Sequence, residues 1–261
     1  MPISLSIASG KGGVGKTTMA INLAIMQAKT SNCLLLDADM GMANAHILLG
    51  INPELTIKDF FDGSCSIEKV ITAGPENLMF MSGGSGLTEL LNIDKNKKLN
   101  FIRTFDQISS KIDNLIVDVS AGAEDSSLSL LSASDKILIV LVNEPTSFTD
   151  AFTLIKVCHL EFGLREFCLA VNMVDNEIQG KEIYVKFSKI LRKFYDVNIT
   201  YVGSVPQNKT IKKSVIQKTP IVLEKNSKEF YFLFEKIIKN INQAPTNNFR
   251  GIKFFNTSSD N

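Results

Sequence analysis

Ile3-Ser4-Leu5-Ser6-Ile7-Ala8-Ser9-Gly10-Lys11-Gly12-Gly13-Val14-Gly15-Lys16-Thr17-Thr18-Met19-Ala20-Ile21-Asn22-Leu23-Ala24-Ile25-Met26 decides the fold. The apolar run Ile3–Ala8 reads as a buried strand and Met19–Met26 as a helix, so the glycine-rich stretch between them joins a strand to a helix. Gly10, Gly15, Lys16 and Thr17 satisfy G-x-x-x-x-G-K-[ST] in the context that pattern requires. Glycines let the backbone wrap a phosphate chain with its N–H groups turned inward, so Gly10, Gly12, Gly13, Val14, Gly15 and Thr18 are candidate cofactor-binding positions. The helix start adds unsatisfied amides and the positive end of its dipole. In this pattern Lys16 sits on the β- and γ-phosphates and Thr17 offers its hydroxyl to Mg²⁺. A plain glycine turn is the competing reading, and the flanks disfavour it. Lys11 is a second cation inside the loop. Lys16 already neutralises the loop's own nucleotide, which leaves Lys11 to reach a phosphate held by a second subunit or to stand as a solvated charge.

The rest of the chain repeats the opening alternation. Cys33–Leu36, Leu115–Val117, Ile137–Val142, Phe167–Val171 and Ile199–Val202 are short apolar runs without alternation, as expected of strands covered on both faces. Between them, Phe148, Ala151, Phe152, Ile155 and Cys158 share one helical face, as do Phe230, Leu233, Phe234, Ile237, Ile238 and Ile241. The predicted architecture is α/β: a doubly wound, mostly parallel sheet flanked by helices, forming one domain over residues 1–242. A polar tail follows over residues 243–261. The 261 residues carry 28 Lys and Arg against 27 Asp and Glu, so net charge makes no case for nucleic acid. The four cysteines form no C-x-x-C pair and read as reduced thiols, and no secretory signal or membrane-length apolar run occurs. A cytoplasmic location is the expectation.

In an open α/β sheet ligands bind beyond the carboxyl ends of the strands. Asp118 closes the run Leu115–Val117, which is the Walker B arrangement for a carboxylate near Mg²⁺. A strand-end aspartate that only starts a turn is the alternative. Asp37 and Asp39 follow Leu34–Leu36 two residues apart, on one face of an extended segment, and their like charges call for compensation by Mg²⁺ and Lys16. Spacing alone does not rank the two.

The loop Lys11-Gly12-Gly13-Val14-Gly15-Lys16-Thr17-Thr18 resembles the deviant Walker A of the MinD/ParA class of ATPases, in which such a lysine completes the partner's site in an ATP-sandwich dimer. Asp37–Asn44, Phe80–Leu87 and Glu144–Lys156 are similar to segments of the FlhG (YlxH, FleN) branch of that class. The likeness extends to about Asn242. It implies ATP and Mg²⁺ as ligands and a slow, partner-stimulated ATPase reaction. It assigns Lys11, Lys16 and Asp39 to catalysis, with Asp39 orienting the attacking water, and Thr17, Asp37 and Asp118 to the metal. It places Asn172, Pro206 and Gln207 around the adenine. Metal carriers of the related Mrp type would need the missing C-x-x-C. Asp118-Val119-Ser120-Ala121-Gly122 departs from the usual second switch, and the sequence starts at its first strand, without the helix by which relatives stimulate FlhF.

In the tail, Phe249-Arg250-Gly251-Ile252-Lys253-Phe254-Phe255 is an apolar and basic island. On a helix Phe249, Ile252, Phe254 and Phe255 face one way, while Arg250 and Lys253 face the other. That pattern predicts a segment lying in an anionic membrane surface, with Lys253 at the head groups. Ordering about eight residues costs on the order of what four buried side chains return, so one copy binds weakly and two copies in a dimer bind usefully. Folding back on the domain is the alternative. The implied function is an ATP-dependent, dimerising, membrane-associating switch that regulates flagellar number or placement, with an FlhF-type GTPase and flagellar switch proteins as partners. A MinD-type division-site regulator is the second reading. A ParA-type DNA-partitioning ATPase is the third, and the small cluster Lys209, Lys212, Lys213 and Lys218 does little for it.

Overall fold

In the computed structural model, residues 1–39, 44–84, 95–224, 226–247 and 251–255 are described. The strands are β1 (Ile3–Ala8), β2 (Cys33–Ala38), β3 (Thr72–Ala73), β4 (Met79–Ser82), β5 (Asn114–Val119), β6 (Lys136–Leu141), β7 (Glu166–Val174) and β8 (Asn198–Pro206). They form one sheet in the order β3-β4-β2-β5-β1-β6-β7-β8, parallel throughout except for the short edge strand β3. The helices are α1 (Lys16–Ala28), α2 (Ala45–Leu49), α3 (Ile57–Phe61), α4 (Lys95–Thr104), α5 (Asp125–Ala133), α6 (Pro145–Phe162), α7 (Glu177–Leu191), α8 (Lys209–Ile216) and α9 (Lys228–Gln243).

The continuous apolar runs become strands because both sheet faces are covered. Along β2, Leu34 and Leu36 pack into one core while Cys33 and Leu35 pack into the other, the period-two alternation of a pleated strand. One core lies under α1 and α9, around Leu23 and Phe234, and the opposite one lies under α5, α6 and α7. Pro145 at the first position of α6 and left-handed Gly163 after its end punctuate that helix. Asn176 caps α7 by accepting from the Gln179 amide at 3.0 Å. The register decides where the chemistry falls. Asp37 stands opposite Asp118 across β2 and β5, and Ile7 stands opposite Asp118 across β1 and β5. The phosphate loop and both strand-end carboxylates therefore converge at one level, where the chain winds away to either side of β1.

The tail does not form the expected helix over its described residues. Phe249 and Arg250 lie outside the described residues, and 251–255 make bends and a turn. Phe254 is buried in the α5–α7 core, with its ring centroid 5.1 Å from that of Phe105 in an edge contact, and Phe255 is 8% exposed. The Phe254 amide donates to Ala133 O at 2.9 Å, which spends the donor a helix would need. Lys253 Nζ reaches Asn247 O at 2.6 Å and Asp135 Oδ1 at 3.3 Å. Upstream, Lys136 Nζ donates to the carbonyls of Ile241, Asn242 and Ala244 at 2.7–2.8 Å, which closes the end of α9. Asn247 then bonds the backbone of Arg165 and Glu166 through both side-chain atoms. Polar composition past Asn242 hides a docked strap, fastened at the amino ends of β6 and β7.

Removing the Phe254 ring leaves a cavity beside Phe105, so Phe254→Ala is expected to lower stability by about 3 kcal/mol in urea melts. A change below about 0.5 kcal/mol would mean the strap is not docked in solution.

Candidate functional site

The loop after β1 reaches α1 through Gly13 and Gly15, both left-handed at φ 79° and 85°, a conformation that only glycine adopts without strain. This turn aims the first amides of α1 into a cavity of about 550 Å³. Gly12, Gly13, Gly15, Lys16, Thr17 and Thr18 line one wall, and Asn172, Met173, Pro206 and Gln207 line another. Gly10 has a different reason: a Cβ there would sit 2.2 Å from the backbone carbon of Asp150. It is a packing glycine that lets α6 press against the loop. Val14 is buried and its carbonyl accepts from the Asn172 amide at 2.7 Å. Asn172 thus pins the phosphate loop to the end of β7 while also lining the cavity.

Lys16 is 6% exposed, and its ammonium lies 2.5 Å from Asp118 Oδ1 and 3.7 Å from Asp39 Oδ2. Asp118 is fully buried, and its other oxygen, Oδ2, lacks a hydrogen-bond partner. An orphaned carboxylate oxygen beside a phosphate loop fits a divalent cation, with Thr17 and Asp118 as the residues to hold it. Burial raises the Asp118 carboxyl above the ordinary aspartate range while the Lys16 ammonium pulls it down. Asp37 accepts the amides of Asp39 at 3.2 Å and Ala45 at 3.1 Å. Both of its oxygens therefore brace the chain that leaves β2 and the start of α2. Burial, then the charge of Asp118, pushes Asp37 up to about 7. Asp39 lines the cavity beside Lys16. On the far side the second switch is tied in, with the Gly122 amide donating to Ser9 O at 2.9 Å and Ser120 Oγ to Ala38 O at 3.2 Å. Gly122 has φ 96°, which keeps this turn a glycine position.

Lys11 is not part of that cavity wall. Its ammonium pairs with Glu144 Oε2 at 2.6 Å and Thr146 Oγ1 at 3.1 Å, with the lysine side chain 40% exposed. The Glu144 contact, the pin from Asn172 to Val14 and the packing of Gly10 on Asp150 were not legible in sequence, because each joins residues more than a hundred positions apart. Met40–Ala43 and Ser85–Leu87, parts of the segments Asp37–Asn44 and Phe80–Leu87 that resemble the FlhG branch, lie outside the described residues.

A phosphate loop at the amino end of a helix, a buried lysine between strand-end carboxylates and a second loop lysine together define a P-loop nucleotide hydrolase of the deviant Walker A kind. Residues 3–242 match the ParA family, described as NUBPL iron-transfer P-loop NTPase. The antiactivator FleN of Pseudomonas aeruginosa is 36% identical over 84% of this chain and 79% of its own. The flagellum site-determining protein YlxH of Helicobacter pylori is 28% identical over 82% of this chain and 73% of its own. The MinC:MinD cell division complex of Aquifex aeolicus contains a chain that superposes with a TM-score of 0.72 at 26% identity, covering 92% of this chain and 94% of that one. The chain belongs to the ParA family of P-loop NTPases, in the FleN/YlxH (FlhG) branch of its MinD-like ATPases, and works on ATP with Mg²⁺. Cys33, Cys158 and Cys168 are buried, burial pushing Cys158 and Cys168 up to about 12. No group of three or more potential metal ligands gathers among the described residues.

The carboxyl of Asp37 is raised on folding, from an ordinary 3.8 to about 7, so the native state binds the extra proton. Stability of the nucleotide-free protein is therefore expected to fall as pH rises from about 4 to about 7. Asp37→Asn should shrink that slope in urea melts across the window, and an unchanged slope would place the titration elsewhere.

Proposed function

We propose that the chain is a switch timed by ATP: binding closes two copies face to face across their nucleotide cavities, hydrolysis parts them, and the cycle regulates flagellar number or placement. The observation that carries the reading is the position of Lys11. Its ammonium stands outside its own cavity, half-exposed, on a pairing with Glu144 and Thr146 that a second subunit's phosphates can replace. A surface ion pair of this kind contributes only about 0–1 kcal/mol, so exchanging it costs little. The names of the similar proteins, antiactivator and flagellum site-determining protein, support the flagellar assignment.

Within each site the residues divide the work. The loop amides and Lys16 hold the triphosphate, and transfer of Lys16 from Asp118 to the phosphates leaves that carboxylate, which would then be available to a divalent cation. Mg²⁺ held by Thr17 and Asp118 would offset negative charge on the phosphates. Asp39, at the cavity wall, orients the water that attacks the γ-phosphorus, and the bond to the bridging oxygen breaks to release ADP. Lys11 of the opposite copy adds a cation where charge builds in the transition state. Gly122 lets the second switch move when the γ-phosphate has gone. Pro206, Gln207, Asn172 and Met173 enclose the base. The strap at 251–255 supplies Ile252, Lys253, Phe254 and Phe255 to an anionic membrane once it leaves its dock, and two straps in a dimer bind far better than one. An FlhF-type GTPase and flagellar switch proteins are the partners this reading takes from the resemblance. A division-site role of MinD type is the second reading, favoured by the close superposition on MinD in its complex with MinC.

Lys11→Ala is expected to leave nucleotide affinity within about threefold while lowering ATP turnover by tenfold or more, by analogy with lost transition-state cations. Asp39→Ala should accumulate an ATP-bound dimer in light scattering. Full turnover in the first variant, or a monomer with ATP in the second, would remove these residues from the mechanism. Cells lacking the gene should show altered flagellar number or position, and normal flagellation with misplaced division septa would favour the MinD-type reading.

A further inference from the structure

The end of the fold opposite the nucleotide cavity carries a surface that the switch chemistry does not use. Phe194, just past α7, is 66% exposed although its ring meets Phe152 edge-on at 5.9 Å. Ile190 is 45% exposed one turn earlier. Lys186, Lys189, Arg192 and Lys193 surround them, all exposed and none in an ion pair among the described residues. At 3.6 residues per turn, Lys186, Lys189, Ile190 and Lys193 fall within an arc of about 100°. The acids nearby do not cancel this charge: Asp196 is engaged by Arg165 at 3.1 Å, and Glu182 lies a turn back toward the start of α7. Apolar side chains interleaved with unpaired cations at a helix end match an interfacial lipid contact.

The strap reaches the same place. Asn247 bonds the Arg165 amide at 3.0 Å, and Arg165 holds Asp196, two residues past Phe194. The docked tail and the end of α7 are thus continuous along the amino ends of β7 and β8. We propose that the end of α7, from Lys186 to Phe194, is a second contact with an anionic lipid bilayer. Its cations meet the head groups, and Ile190 and Phe194 enter the acyl boundary beside the tail. The proposal rests on the membrane association put forward above and extends it to the folded domain. Duplex DNA would also attract the cations, but it offers Ile190 and Phe194 no apolar surface. The lipid assignment therefore accounts for all six side chains.

The test sediments the full chain, with Mg²⁺ and a non-hydrolysable ATP analogue, on vesicles of phosphatidylcholine with and without the anionic lipid phosphatidylglycerol. The double charge reversal Lys189→Glu with Lys193→Glu is expected to lower the bound-to-free ratio on anionic vesicles by more than about thirtyfold. Phe194→Ser should lower it several-fold, and replacing both lysines by glutamine should give a loss between wild type and charge reversal. ATP turnover should be unchanged in all three and thermal melting in both lysine pairs, while Phe194→Ser loses the ring contact with Phe152 and melts slightly lower, still as a folded chain, which separates lost contact from lost folding. Wild-type binding in every variant would overturn the α7 contact and leave the tail as the anchor. Failure of the unmodified chain to sediment with anionic vesicles would overturn both. Loss of retention on a duplex oligonucleotide, with vesicle binding intact, would make the patch a nucleic-acid surface instead.

Discussion

An ammonium group almost shut off from water, that of Lys16 between Asp118 and Asp39, is the constraint around which the nucleotide site is arranged. Breaking a buried ion pair by removing one partner costs about 3–5 kcal/mol, because the remaining charge has no water to turn to. The fold meets that constraint by register. Strands β1, β2 and β5 end at one level, so the loop lysine and the strand-end carboxylates reach each other without long side chains crossing open space. In the proposed cycle, phosphates entering the cavity compete with Asp118 for Lys16, and the unpartnered oxygen of Asp118 is then left for a cation. Nucleotide binding is in this sense an exchange of counter-charges inside a wall that already exists.

The two ends of the sheet carry different chemistry. The carboxyl ends hold the loop, Asp37, Asp39, Gly122 and Lys11, while the amino ends hold the docked strap, the closed end of α9 and the exposed end of α7. Two buried polar ties, Lys136 to the last carbonyls of α9 and Asn247 to the start of β7, fix the strap's path. Lys136 places all three of its donors and Asn247 bonds through both of its side-chain polar atoms, which makes them rigid supports. Phe254 completes the core on that face, so release of the strap exposes a cavity as well as freeing its aromatic side chains. In the proposed switch that coupling sets a threshold: a bilayer must compensate for what the domain gives up, which the pairing of two copies would make attainable.

Much of this was legible in sequence, and the boundary of legibility has a physical cause. The phosphate loop, Asp37, Asp39 and Asp118 could be read because strand, loop and acid are local patterns, and the rule that ligands gather at the carboxyl ends of strands joins them without coordinates. The doubly wound sheet followed from unalternating apolar runs, which both covered faces explain. Long-range contacts escaped. Gly10 reads as part of a phosphate cradle, yet its missing Cβ answers to the backbone at Asp150. Asn172 reads as an adenine neighbour, yet its amide is committed to Val14. The tail shows the same limit, since periodicity describes a helix at 249–255 and cannot see that Ala133 and Phe105 offer Phe254 a better partner than solvent.

The central claim is that triphosphate at the shared cavities joins two copies, and that hydrolysis separates them. Sedimentation velocity on the intact chain, with Mg²⁺ and either a non-hydrolysable ATP analogue or ADP, tests it most directly. The account predicts a species of twice the 28.8 kDa chain mass with the analogue and a single chain with ADP. One chain in both, at concentrations well above nucleotide saturation, would contradict it.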